Sequence, residues 1–296
     1  MHSMYESRAS GLRVLIAGCG RLGSSLGAVL AEQAHTVWGL RRRTDELPDE
    51  IQPLEGDLAS GRGLSSLPPC LDYVFYTASS GSSSAEGYKA AYLTGVRNLL
   101  ETLIKQQQTI RRVFFVSSTG VYSQQSGEWV DEDSPTCPRY SAGEYLLQGE
   151  DLIGSSPYPG TVVRLAGIYG PGRVRLLDRV ARGKEACLQE RTQYTNLIHS
   201  TDCVAILNHL MHLAEPSRLY IAADCEPTDR CILLHWLADQ LNAPKPQTLP
   251  ASHFSSRQLR SNKRCSSQRL LQSGYEFVYP TFRQGYISLV KDYQCP

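Results

Sequence analysis

Two short stretches near the start of the chain carry residue types and spacings suited to phosphate chemistry. Gly18-Cys19-Gly20-Arg21-Leu22-Gly23 spells G-x-G-x-x-G immediately after an apolar run and at the start of a helical pattern. In that setting the first glycine permits a tight turn, the second lets a pyrophosphate approach the backbone, and the third lets helix and strand pack closely. The helix N-terminus adds N–H groups and partial positive charge facing the phosphates. A merely structural glycine turn is the alternative. The strand before and the helix after favour dinucleotide binding by Gly18, Gly20, Arg21, Leu22 and Gly23.

A chain that binds NAD carries Asp or Glu roughly 20 residues further on, for the ribose 2′-hydroxyl. Here the second apolar run ends Trp38-Gly39-Leu40-Arg41-Arg42-Arg43. A carboxylate would repel a 2′-phosphate, whereas guanidinium groups form bidentate, charge-assisted bonds to it. NADP(H) on Arg41 and Arg42 is therefore expected. An ordinary solvated basic turn is the bland alternative, and Asp45 keeps NAD open.

These groups need a scaffold, and the first half of the chain alternates β-rich apolar runs with helical stretches, the mark of a parallel sheet covered on both faces. Strands are expected at 12–17, 36–40, 51–54, 73–77, 113–117 and 161–165, with helices at 22–33, 86–107 and 141–153. Beyond the Gly/Pro break at 167–173 the pattern is less regular, with helices near 202–213 and 231–241, a strand at 219–222 and a Pro/Ser/Arg-rich stretch at 242–264. The expected fold is α/β, a Rossmann-type doubly wound parallel sheet with a smaller C-terminal substrate-binding lobe. Residues 11–170 would form the nucleotide-binding domain, with 196–224 returning to it, and 171–195 with 225–296 the lobe.

The 296 residues suffice for a sizeable core. Thirty basic against 29 acidic groups exclude a strongly basic nucleic-acid binder and an acidic disordered tail. Only six of the basic residues are lysines and 24 are arginines. Nine scattered cysteines, odd in number and never C-x-x-C, argue against a disulfide framework or a zinc ribbon and fit reduced thiols in a cytoplasmic setting. No apolar run approaches the roughly 18 residues of a membrane span, and the polar first ten residues read as a short leader. His209 and His212, three apart on an expected helix, lack further metal ligands in view and read as ordinary histidines; no metal is expected.

Further segments, in order, resemble the extended short-chain dehydrogenase/reductase group, the NAD-dependent epimerase/dehydratase superfamily. Gly56-Asp57-Leu58 stands where that family has an Asp and an apolar residue edging the adenine, and Thr77-Ala78-Ser79 where its backbone lies against the cofactor. Gly95-Val96-Arg97-Asn98-Leu99-Leu100 is similar to G-T-x-N-L-L, and Val116-Ser117-Ser118-Thr119-Gly120-Val121-Tyr122 to V-S-S-x-x-V-Y-G. Arg164-Leu165-Ala166-Gly167-Ile168-Tyr169-Gly170-Pro171-Gly172 is similar to R-x-x-x-x-Y-G-P-G. Asn196-Leu197-Ile198-His199 with Asp202 is similar to N-x-I-H-x-x-D. The resemblance, from about Arg13 to Tyr286, implies a cofactor site that also includes Asp57, Leu58, Thr77, Ala78, Ala166 and Gly167.

It also implies catalysis by a Ser or Thr after the fifth strand and by a Tyr-x-x-x-Lys helix. The matching positions are Ser118, with Thr119 as its near neighbour, and Tyr140. Four residues beyond Tyr140, however, stands Glu144, and no lysine lies between Lys105 and Lys184. Residues four apart share a helical face, so a lysine there would lower a tyrosine pKa that starts near 10. Its loss removes roughly 3–4 kcal/mol of help to a general base. The sequence resembles an atypical branch of the family, with the glycine loop kept and the catalytic motif degenerate.

Two readings follow. In the first, the protein is an NADP-dependent oxidoreductase or epimerase for a small polar substrate of sugar-nucleotide type, with Ser118 binding the reacting oxygen and Tyr140 exchanging its proton. In the second, it binds NADP(H) and reports its occupancy without turnover. S-adenosylmethionine on the glycine loop would leave the later segments unexplained. Arg173, Arg175, Tyr169 and the cationic segment Ser261-Asn262-Lys263-Arg264 are candidates to meet an anionic substrate, with loop packing and a solvated surface as alternatives. No nucleic acid or membrane partner is expected; the resemblance implies a homodimer through the helices at 86–107 and 141–153, whose apolar stripes serve internal packing equally well.

Overall fold

The computed structural model describes residues 11–256, 258–259 and 261–294. The leader read over the first ten residues lies outside the described residues. Strand β1 (Arg13–Ala17) leads into helix α1 (Arg21–Glu32), followed by β2 (Thr36–Arg41), β3 (Gln52–Glu55) and β4 (Tyr73–Tyr76). Helix α2 (Ala85–Lys89), a π-helical turn (Ala90–Thr94) and α3 (Gly95–Lys105) then follow without a break. Next come β5 (Arg112–Ser118), β6 (Glu128–Val130), α4 (Ser141–Ser155), β7 (Gly160–Leu165), β8 (Gly167–Tyr169) and α5 (Arg175–Ala181). After β9 (Ala186–Leu188), β10 (Tyr194–Thr195) and β11 (Leu197–His199) stand α6 (Ser200–His212), β12 (Leu219–Ala222), β13 (Thr228–Asp229) and α7 (Arg230–Gln240). The chain closes with β14 (Gln247–Leu249), β15 (Lys263–Cys265), α8 (Gln268–Gln272) and α9 (Phe282–Gln294).

Seven strands form one parallel sheet in the order β12-β7-β5-β4-β1-β2-β3. Strand β1 pairs with β2 on one side and β4 on the other, so the strand order reverses there, and this reversal is where doubly wound sheets hold ligands. The fold is the Rossmann-type α/β class expected. Val14, Leu15, Ile16 and Ala17 are wholly buried, which explains why β1 is an unbroken apolar run instead of an alternating one.

The described residues pack as two compact units, one comprising the chain up to 115 with 151–160, the other 116–150 with 161 onward. The boundary expected near residue 170 falls within the second of these units. In the first unit the Phe75 and Phe114 rings stack at 4.7 Å, and α3 buries Val96, Leu99, Leu100 and Leu103.

In the second unit β12 pairs with β7, and short two-stranded ladders join distant segments: β8 with β11, β9 with β14, β6 with β15 and β10 with β13. Tyr169, Leu177, Leu233, Leu237, Phe282 and Tyr286 form its apolar cluster. The stretch 242–264 is therefore not simply irregular, since β14 and β15 run through it.

The expectation of reduced thiols throughout is corrected at one pair. Cys187 and Cys231 form a disulfide across 44 residues of sequence, while six other described cysteines are free. No spacing rule reveals this pair, because the packing of β9 beside α7 brings their Cα atoms to 5.1 Å. His209 bonds Ser273 and His212 bonds the Asn208 carbonyl, the ordinary roles expected of them.

Candidate functional site

Within the first unit, a cavity of about 550 Å³ opens at the C-terminal ends of β1, β2 and β4 and is lined by Gly18, Gly20, Arg41, Arg42, Asp57 and Ala78 among others. The three motif glycines have distinct geometries. Gly18 has φ +81°, and a Cβ there would stand 2.4 Å from Ala78 Cα. Gly20 has open space, with only the Gly18 carbonyl near at 3.9 Å, and a Cβ on Gly23 would stand 2.8 Å from both Ile16 and Thr77. These are the requirements of a tight turn, of close ligand approach and of helix–strand packing.

Helix α1 begins at Arg21 with no side-chain cap from Gly20, so its N-terminus keeps donor capacity for an anion. Gly18 N–H and Cys19 N–H both donate to the Leu40 carbonyl at 2.9 Å, tying the loop to β2. Thr77 braces it from beneath by donating to the Gly18 carbonyl at 3.1 Å, without lining the cavity.

At the end of β2 the position of the ribose-binding carboxylate is Arg41. Its guanidinium donates to Glu46 at 2.6 Å, while the neighbouring Arg42 is exposed and lines the same cavity. Asp57 accepts from Ala59 N–H at 3.1 Å and from Ser60 Oγ at 3.0 Å, which fixes its loop, and Leu58 lies beside it in the lining. Leu22 and Gly23 belong to the first turn of α1. Ala166 and Gly167 belong to the second unit and are not among this cavity's lining residues.

The π-helical turn was not foreseen in the 86–107 helix. The Tyr76 hydroxyl donates to the Ala91 carbonyl within it, and a Cβ on Gly95 would stand 2.4 Å from that hydroxyl. Widening the helix by one residue admits the hydroxyl and places Ala90 and Ala91 in the cavity wall. Burial pushes the Tyr76 phenol far up, so it serves here as a neutral donor.

In the second unit, Ser118 Oγ accepts from Gly120 N–H at 3.1 Å and caps a single 3-10 turn. Tyr140 is 41% exposed and stands one residue before α4. Its carbonyl accepts from Gly143 and Glu144 N–H, at 3.0 and 3.2 Å. Its phenol donates to the Ser256 carbonyl at 3.4 Å. Tyr140 thus stands at the N-terminal end of α4, and its carbonyl joins the first helical turn through the Glu144 N–H. Glu144 sits in the first turn of α4, where a carboxylate favours the helix N-terminus.

A buried ion network, absent from the sequence reading, fixes the strand end that carries Ser118. Arg164 donates to both Glu150 oxygens at 3.0 and 2.6 Å and to Tyr122 Oη at 2.6 Å. Ser117 Oγ donates to the same carboxylate at 2.5 Å. Burial pushes the Tyr122 phenol up to about 12, opposed by the charge of Arg164. The signal was present, since arginine within an apolar strand demands a buried acid.

The proposed cationic segment is also corrected. Lys263 is 5% exposed and donates to the Tyr122 carbonyl at 3.1 Å and Ser261 Oγ at 3.3 Å. Asn262 is buried and accepts from Tyr194 N–H, and the Arg264 guanidinium lies 5.0 Å from the Trp129 ring centroid and 4.9 Å from that of Tyr194. The segment cross-links loops instead of standing in solvent. Tyr169 is buried and stacks on Tyr286 at 4.4 Å, the packing alternative, whereas Arg173 and Arg175 are exposed.

The fold, the glycine loop and the cavity at the strand reversal define a dinucleotide-binding protein of Rossmann type. The model of the NAD dependent epimerase/dehydratase family matches residues 14–222, well over half of the chain, and the chain belongs to that family. It is 28% identical over 202 residues to short-chain dehydrogenase/reductase family 42E member 1 of Xenopus laevis, covering 61% of this chain and 52% of that protein. The matched part is thus about half of that relative's length. Over 93% of this chain and 99% of the relative it is 24% identical to a 3-diazoavenalumate denitrifying reductase of a Streptomyces species. A structure from Methylobacillus flagellatus, assigned as an NAD-dependent epimerase/dehydratase, superposes with a TM-score of 0.78 at 34% identity, covering 96% of this chain and 99% of that one.

Proposed function

We propose that the protein is an NADP(H)-dependent oxidoreductase or epimerase acting on a small polar substrate of sugar-nucleotide type. The observation that carries this reading is the glycine-lined cavity with Arg41 and Arg42 in the place of an acidic ribose ligand. The residues fit the cofactor: Gly18 and Gly20 leave room a Cβ would fill or obstruct, and α1 presents an uncapped N-terminus. Gly18, Gly20 and the start of α1 would hold the pyrophosphate, Asp57 and Leu58 the adenine, and Arg42 with Arg41 the 2′-phosphate. When bound, the nicotinamide supplies or accepts hydride. Ser118 would hold the reacting oxygen of the substrate, and Tyr140 would exchange the proton on that oxygen. A cytoplasmic setting belongs to this reading, although the Cys187–Cys231 disulfide does not speak for it, and no described helix is long and apolar enough to cross a membrane.

A specific feature favours a second reading, a dinucleotide-binding protein with little or no turnover. Glu144, in the first turn of α4, holds the position that the family gives to lysine. The test is NADPH consumption at 340 nm with a panel of sugar nucleotides and small carbonyl compounds, repeated with Tyr140→Phe. Turnover that falls at least about 100-fold in the variant supports a proton-transfer role. NADPH binding without consumption by any compound supports the second reading.

A further inference from the structure

We infer that Cys187 and Cys231 form a thiol–disulfide exchange site for a small dithiol, with His235 as its proton donor. The pair lies apart from the glycine-loop cavity, in the second unit, and does not depend on the function proposed above.

Three independent features meet there. The first is access. A separate cavity of about 280 Å³ is lined by both sulfur-bearing residues, with Gln189, Arg191, Asp229 and Arg230 around them. This volume admits a small dithiol while Cys187 itself is almost wholly buried. The second feature is the helix. Cys231 is the second residue of the 11-residue α7, whose cap Asp229 accepts the Cys231 N–H at 2.9 Å. The first helical turn favours a thiolate and hence a leaving group at Cys231, an effect that the charge of the capping Asp229 carboxylate opposes. The third is His235, one helical turn along the same face, with a ring nitrogen within 4.8 Å of both sulfurs.

The step balances as an ordinary exchange. A thiolate of the external dithiol attacks the sulfur of Cys231, the less buried residue of the pair, and the bond between Cys187 and Cys231 breaks. The Cys187 sulfur leaves with the electron pair and takes a proton from His235. The second thiolate of the dithiol then attacks its own sulfur in the mixed disulfide, releasing Cys231 as thiolate at the head of α7. Two electrons pass from the dithiol, which becomes a cyclic disulfide, to the protein, which gains a thiol at Cys187 and a thiolate at Cys231. The protons lost by the dithiol replenish His235 and solvent.

The apolar floor explains how the fold survives the open state. Leu233, Leu234 and Leu237 of α7 are fully buried in the apolar cluster, and β9 is held independently by its pairing with β14. Reduction therefore leaves both elements anchored.

The test treats the native, full-length chain with dithiothreitol, quenches with acid, alkylates after denaturation and maps the labelled cysteines by mass spectrometry, with circular dichroism before the quench. A chain purified with the pair reduced is read in the reverse direction, with oxidised dithiothreitol. Expected is redox change at Cys187 and Cys231 with the spectrum unchanged. With hydroxyethyl disulfide, Cys187→Ser accumulates an adduct on Cys231, whereas Cys231→Ser yields none on Cys187. His235→Ala slows the exchange and leaves its end point unchanged. A pair that changes state only after the protein is unfolded, or an exchange rate untouched in His235→Ala, would overturn the proposal.

Discussion

Asp224 is 2% exposed, and one of its carboxylate oxygens has no hydrogen-bond partner. Burial lifts its pKa from 3.8 to about 8, against a smaller opposing effect of the Glu226 N–H. The unfolded chain releases this proton near 4 and the folded chain near 8, so between them the folded state binds more protons. Stability must then fall as pH rises across that window. Asp224→Asn should remove this slope, gaining roughly 2–4 kcal/mol relative to the parent chain between about pH 5 and about pH 8. Urea unfolding at the two pH values reads the difference, and parallel curves for both proteins would refute it. The Glu150–Arg164 pair makes the complementary case, with both side chains less than one-tenth exposed. Glu150→Gln leaves a buried guanidinium uncompensated and should cost about 3–5 kcal/mol by the same measurement. The paired change Glu150→Leu with Arg164→Met should recover most of that loss.

At the scale of elements, the glycine loop was legible because each of its constraints is local. Strand, turn and helix adjoin in sequence, and Gly18 meets Ala78 because β1 and β4 are neighbours in the sheet. Gly18→Ala should cost about 1–3 kcal/mol from its left-handed backbone and the Ala78 clash. It should also abolish the thermal shift that the proposed function expects from NADPH; an unchanged shift would argue against the loop as the phosphate site. The long parallel strands were equally legible, since burial on both faces forces continuous apolar runs. The π-helical turn was not, because it answers to the Tyr76 hydroxyl and a single inserted residue. Nor were β6, β9, β14 and β15, three-residue strands whose partners lie far away in sequence. Tyr140 was reached by counting from Ser118, and it stands at the start of α4, with its carbonyl accepting the first helical bonds.

At the scale of the whole molecule, near-neutral charge concealed local order. Arginines line the cavity at the end of β2, and the one lysine between 246 and 290 is sealed beneath the turn that follows Ser118. The chain keeps the machinery for holding a dinucleotide in one unit, while the second holds the candidate catalytic hydroxyls and a disulfide that spacing could not reveal. The central claim is that Arg41 and Arg42 select a 2′-phosphate. Because Arg41 is paired with Glu46, Arg42 is the sharper probe. The direct measurement is calorimetric titration of the parent chain and of Arg42→Ala with NADPH and with NADH at one ionic strength. The account predicts that the parent chain binds NADPH at least about tenfold more tightly, and that Arg42→Ala loses most of this preference while its NADH affinity stays the same. NADH bound as tightly as NADPH by the parent chain, with no change in Arg42→Ala, would contradict it.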